Sequence, residues 1–178
     1  MKKIVKILIG LGLILGVSIV GYIYVQLNLL NNSVYYAKHT PHKEGAVPEM
    51  SALLENMSWH YSEGEILPGV VYDRDGNNII YFNNRKEIMS TERDGYRYSI
   101  REKERHISYN YDHNFKFIRA MEDPNSDKPI KEIMIADNKK EEMKKEMYNK
   151  LKPLIDEHTE PSINLQWIFD WKYKERFN

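Results

Sequence analysis

Hydrophobic and polar positions divide this chain into stretches of different period. The first is unbroken: from Ile7 to Val25 nineteen residues carry no charge. As a helix this run is roughly 28 Å long, close to the ~30 Å hydrocarbon thickness of a bilayer. Lys2, Lys3 and Lys6 precede it, and no charged residue follows until Lys38. The positive-inside rule then puts the amino terminus in the cytoplasm and the rest of the chain outside, as a single-pass protein of the cell membrane. A cleaved signal peptide has the same basic start but a shorter apolar run of about 7 to 15 residues and a small-x-small cleavage site. The length here, and the lack of an Ala-x-Ala pattern before Ala37, favour an uncleaved anchor.

Beyond Val25 the pattern predicts a tether and one domain. Residues 26–46 are polar and without sustained period. Pro48 suits a first helical turn, and Met50, Leu53, Leu54 and Met57 recur at helical spacing. From Ser58 the period becomes two and turn signals recur, the signature of an antiparallel meander. Trp59 and Tyr61 suggest a first strand. Strands over 70–73 and 78–82 flank Asp75 and Gly76, and strands over 86–92 and 96–102 flank Asp94 and Gly95. Tyr96, Tyr98 and Ile100 share one face; Arg97, Ser99 and Arg101 share the other. Ile107, Tyr109 and Tyr111 alternate likewise with His106, Ser108 and Asn110, and Asp112, His113 and Asn114 turn the chain into a strand over 115–121. A loop over 122–128 and a strand over 130–135 follow. Asn138 and Glu141 form a capping-box pattern ahead of Met143, Met147, Leu151 and Leu154, a second amphipathic helix that Pro153 should kink or shorten. Ile163, Leu165, Trp167, Phe169, Trp171 and Tyr173 occupy successive odd positions and predict a last strand.

The fold class expected is α+β: a transmembrane helix, then an antiparallel meander packed by two amphipathic helices. The organisation is a basic start over 1–6, an anchor over 7–25, a tether over 26–46 and an extracytoplasmic domain over 47–178.

Composition removes function classes more readily than it supplies one. The absence of cysteine excludes disulfides, zinc-thiolate sites and a thiol nucleophile. Setting aside the three leading lysines leaves 23 basic and 26 acidic side chains, which is no footprint for nucleic acid. Asp73, Asp75 and Asn77 imitate the start of a calcium loop, but Asn78 stands where its glycine belongs and Asn84 where its bidentate glutamate belongs. Asp123, Asn125 and Asp127 fail in the same way. Six histidines are scattered without a metal-ligand spacing, and neither a nucleophile elbow nor a Walker motif occurs. No catalytic residue, metal or cofactor is therefore assigned. Thirteen tyrosines read mainly as sheet core. The polar strand face of Arg97, Ser99, Arg101, His106, Ser108 and Asn110 is the candidate partner-binding surface, because arginine is enriched at interface hot spots.

With one amino-terminal anchor, a cysteine-free Tyr-rich domain, Leu67, Pro68 and Gly69 entering the meander, and the run Ser162 to Trp167 near the end, the chain resembles the TipC-type immunity proteins of Gram-positive bacteria. That resemblance implies a non-enzymatic protein that binds a cognate toxin exported by the type VII secretion route and occludes its active site at the outer membrane face. It brings no catalytic residues with it. Two other classes stay open: a membrane-anchored envelope enzyme whose carboxylates meet in space, and an envelope assembly subunit. The oligomeric state is not legible.

Overall fold

The computed structural model describes residues 2–101, 105–124 and 129–177. Among the described residues there are five helices: α1 (Lys2–Asn31), α2 (Ser33–His39), α3 (Pro48–His60), α4 (Asp137–Asp156) and α5 (Gln166–Phe177). Between α3 and α4 run β1 (Gly64–Leu67), β2 (Val70–Asp75), β3 (Asn77–Phe82), β4 (Glu87–Glu92), β5 (Gly95–Arg101), β6 (His106–Tyr111), β7 (Phe117–Asp123) and β8 (Lys131–Ile133). The strands pair in sequence order into one antiparallel meander, so the α+β class and the sheet follow the alternation in the sequence. Asn125, Ser126, Asp127 and Lys128 of the expected loop, and Glu102 of the expected strand end, lie outside the described residues.

The hairpins form where the turn residues stand. Gly76, at φ 72°, is the tip between paired Asp75 and Asn77. Gly95 pairs with Glu92, which moves the β4–β5 turn onto Arg93 and Asp94. Its φ of 143° and the carbonyl of Tyr111, only 2.0 Å from where a Cβ would lie, leave room for no other residue. A bulge at Tyr111 and the positive φ of Phe115 (58°) delay the next strand to Phe117. Phe115 then stacks on Tyr96, ring centroids 4.3 Å apart.

Alternation sorts the sheet into two faces. Tyr72, Ile80, Met89, Tyr98, Tyr109 and Ala120 form one continuous cross-strand row on the inner face, and all are buried. Met50, Leu53, Leu54 and Met57 of α3 and Met143, Met147, Leu151 and Leu154 of α4 complete that core. Full burial of such side chains contributes about 1.5–3 kcal/mol each.

Four expectations are corrected. The segment expected as a tether instead belongs to the core. Helix α1 continues past the apolar run to Asn31, and Leu29, Val34, Tyr36 and Ala37 are buried. Tyr36 Oη donates to Asn28 Oδ1 at 2.6 Å and accepts the Leu165 N–H at 3.0 Å. Trp59 and Tyr61 do not begin a strand, because α3 continues until the Tyr61 N–H reaches the Met57 carbonyl. Asn138 does not cap α4: the helix starts at Asp137 after Ala136, with no side-chain cap, and runs past Pro153 to Asp156. From Gln166 onward the residues expected as a last strand form α5, with Ile163 and Leu165 just before it. Odd-numbered aromatics there satisfy a helix with two aromatic faces, Phe169, Tyr173 and Phe177 inward at steps of four and Trp167 and Trp171 outward. A strand would have had only the short edge strands β1 and β8 to join.

Candidate binding face of the sheet

The outer face carries the six residues singled out in sequence, and register brings all six together. Arg97 lies opposite Asn110, Ser99 opposite Ser108 and Arg101 opposite His106, three rungs about 7 Å apart along the strands. The same rungs continue into β7 through Arg119, Met121 and Asp123. Sequence reasoning missed these three because the bulge at Tyr111 breaks the count of alternation between β6 and β7.

Local contacts fix the polar part of this face. Glu92 Oε1 accepts the Ser90 hydroxyl at 3.0 Å and lies 3.5 Å from Arg97 Nη1, while Arg97 Nε donates to Asn110 Oδ1 at 3.4 Å. Exposed ion pairs of this kind contribute about 0–1 kcal/mol, so their consequence is orientation of the guanidinium. Ser99 and Ser108 hydroxyls meet at 2.9 Å. Ser99 is only 4% exposed although it lies on the outer face, sunk between longer neighbours. Burial, then the charge of Arg101, pushes His106 below the ordinary histidine pKa, against the pull of Asp123.

The middle of the face is less polar. Val71, Tyr81 and Ile88 lead across β2, β3 and β4 to Ser99, and Met121 continues beyond Ser108. Each of these four apolar side chains is half-buried. Arg85 covers the Tyr81 ring at 5.0 Å. Near the β4–β5 turn a cleft of about 250 Å³ opens beside Arg97, Asn110, Ile118 and Arg119. An apolar strip between cations, with small buried hydroxyls at its centre, has the anatomy of a protein-contact surface.

Other polar groups are committed to the fold. On the inner face, Tyr98 Oη donates to Glu87 Oε2 at 2.6 Å, and Lys150 Nζ of α4 reaches the same oxygen at 2.6 Å. Burial opposes ionisation of Glu87, but hydrogen bonds from Lys150, Tyr98 and Asn83 hold its carboxyl below the usual range. Burial and the neighbouring Glu87 push the Tyr98 phenol up. Glu55 of α3 similarly collects Tyr96 Oη at 2.8 Å and Arg176 Nη2 at 2.5 Å. A wider groove of about 620 Å³ lies between the segment after α2 and the start of α4. Two of its four lysines are paired locally, Lys140 on Asp137 at 2.6 Å and Lys144 on Glu141 at 3.0 Å.

Asp73, Asp75 and Asn77 form part of the β2–β3 hairpin, with Asp73 Oδ1 accepting the Arg74 N–H at 2.7 Å. Among the described residues no three His, Asp or Glu side chains converge as a metal site. Two histidines do meet: His60, ending α3, and His158, just after α4, stack edge-on with centroids 4.6 Å apart. Their Nε2 atoms are buried without hydrogen-bond partners. Burial and the neighbouring His158 lower the His60 pKa to about 4, and burial lowers that of His158. Distant in sequence, the pair gave no signal there.

Helix α1 is the single helix among the described residues long and apolar enough to cross a membrane, a candidate span or signal anchor. Compared with protein-family models, curated proteins and solved structures, the chain has no match.

Proposed function

We propose that this chain is a membrane-anchored immunity protein, held with its amino terminus in the cytoplasm, that binds and occludes a secreted antibacterial toxin on the outer side of the membrane. The observation that carries the reading is the uncovered sheet face, where Arg97, Asn110, Arg119 and Arg101 surround the half-buried strip of Ile88, Ser99, Ser108 and Met121. The core-forming helices pack on the opposite face, so this one is available to a partner. Its cations suit a toxin that presents acidic groups around its active site. The positive-inside pattern of Lys2, Lys3 and Lys6 supports the orientation, and the resemblance to TipC-type proteins supports the partner class.

The test is binding of the full chain, in lipid nanodiscs, to the toxin secreted by the same strain. Arg97→Glu with Arg101→Glu should weaken binding roughly 100-fold or more, since reversed charges meet the surface that attracted them. Both side chains are exposed, so the melting temperature should hardly move. Unchanged affinity would remove this face from the account.

A further inference from the structure

All three tryptophans of the chain are exposed: Trp59 at 50%, Trp167 at 71% and Trp171 at 73%. Tryptophan is a large apolar ring with a single N–H, and leaving two of them one helical turn apart in water is unfavourable in a domain that buries most of its tyrosines. Their placement supplies the reason. Lys172 Nζ, next to Trp171, donates to Gln26 Oε1 at 3.0 Å. The carbonyl of Ile163, one turn before Trp167, accepts from Asn28 Nδ2 at 3.1 Å. Both attachment points lie on one turn of α1, immediately after its apolar run, so the first two turns of α5 stay level with the end of that run. Trp59 Nε1 donates to Asn31 Oδ1 at 2.6 Å, about 7 Å further along α1 than Gln26.

The interfacial zone of a bilayer is about 5–8 Å deep on each side. It is where Trp and Tyr concentrate, ring toward the acyl chains and polar atom toward water. Tyr22 and Tyr24 stand exposed on α1 just below Gln26, and Ile163 is exposed beside Asn28. The inward face of α5, Phe169 and Phe177, is buried against the domain. Its outward face is thus aromatic, flanked by Lys172, and placed at the depth where such a face is stable.

We propose that α5 is an interfacial helix: Trp167 and Trp171 insert into the headgroup region of the bilayer that α1 crosses, with Trp59 at its outer edge. The domain is then seated on the membrane by two elements, a span and an aromatic helix beside it, which fixes its tilt. This rests on α1 spanning the bilayer, and it holds for any partner of the sheet face.

The experiment uses the full chain in phosphatidylcholine and phosphatidylglycerol nanodiscs whose acyl chains carry bromine either high or low, bromine being a contact quencher of indole fluorescence. Three variants each keep one tryptophan, the other two replaced by phenylalanine at these exposed positions, with each variant's melting temperature measured beside the parent's. The variants retaining Trp167 or Trp171 should lose about half their emission to high-placed bromine and less to low-placed bromine, as expected for interfacial rings. The variant retaining Trp59 should lose less than either. Unquenched, red-shifted emission from Trp167 and Trp171 in chains that have entered the nanodiscs would overturn the proposal alone. Blue-shifted but unquenched emission would do the same, by showing that protein and not lipid covers α5. Failure of the chain to enter nanodiscs would overturn the spanning helix as well.

Discussion

His60 and His158 show how two residues without evident chemistry set a response to pH. Each ring is half-buried and packs against the other at the C-terminal ends of α3 and α4, with a buried Nε2 that has no partner. Protonation would place a charge in that pocket, so the folded-state pKa of His60 falls to about 4 from an unfolded value of about 6.5. The unfolded chain therefore binds more protons between these values. Stability from the pair is fully present above about pH 6.5 and is lost as pH falls toward 4. Carboxylates that are held low by their partners, such as Glu87 and Asp156, contribute their own loss only below about pH 4.5. The melting temperature should thus decline between pH 6.5 and 4.5, and His60→Phe should flatten that decline. An unchanged slope in the variant would refute the assignment.

At the scale of elements, the joint between α1 and the domain departs furthest from expectation. Residues 26–46 look like a linker in sequence because Asn31, Asn32, Ser33, Thr40 and Pro41 interrupt any period. In the structure those polar groups hold the joint together. Asn32 links α1 and α2: its N–H and side-chain amide donate to the Asn28 carbonyl, at 3.1 and 2.8 Å, and its own carbonyl accepts the Tyr36 N–H at 3.0 Å. Thr40 Oγ1 donates to Asp170, and Gln166 Nε2 donates to the Tyr36 carbonyl at 2.9 Å. A fragment beginning at Gln26 should unfold cooperatively. One beginning at Lys38, which lacks buried Leu29, Val34, Tyr36 and Ala37, should be weaker by at least about 3–5 kcal/mol, the cost of removing one buried aromatic alone. Equal urea midpoints for the two fragments would contradict this. In the sheet, β1 lies at Gly64–Leu67 where no strand is expected, and the strand expected over 130–135 is only Lys131–Ile133. The central strands β2 to β7 are legible in the sequence, since alternation and Asp-Gly turns are local signals. The six candidate site residues share one face for the same reason. Long-range facts were not legible. Whether Leu165 and Phe169 belong to a strand or a helix depends on whether a sheet edge or a helical seat against α2 awaits them. The meeting of His60 with His158 depends on where two helices end.

On the scale of the whole molecule, a candidate span that runs into the core would do more than an anchor on a tether. A flexible tether would only raise the local concentration of a binding domain near the membrane. With Leu29 buried, α5 tied to Gln26 and the segment before α5 tied to Asn28, α1 and the domain form one body. On the proposal that α1 crosses the membrane, the sheet face then points in a set direction relative to the bilayer. On the proposed function, that direction is the approach of a toxin working at the membrane surface. The central claim is tested most directly in cells lacking this gene that are exposed to the proteins their own strain secretes. The account predicts lysis or arrested growth, reversed by the intact chain and not by the Arg97→Glu, Arg101→Glu variant at equal abundance. Normal growth of the deleted cells, or equal rescue by both chains, would contradict it.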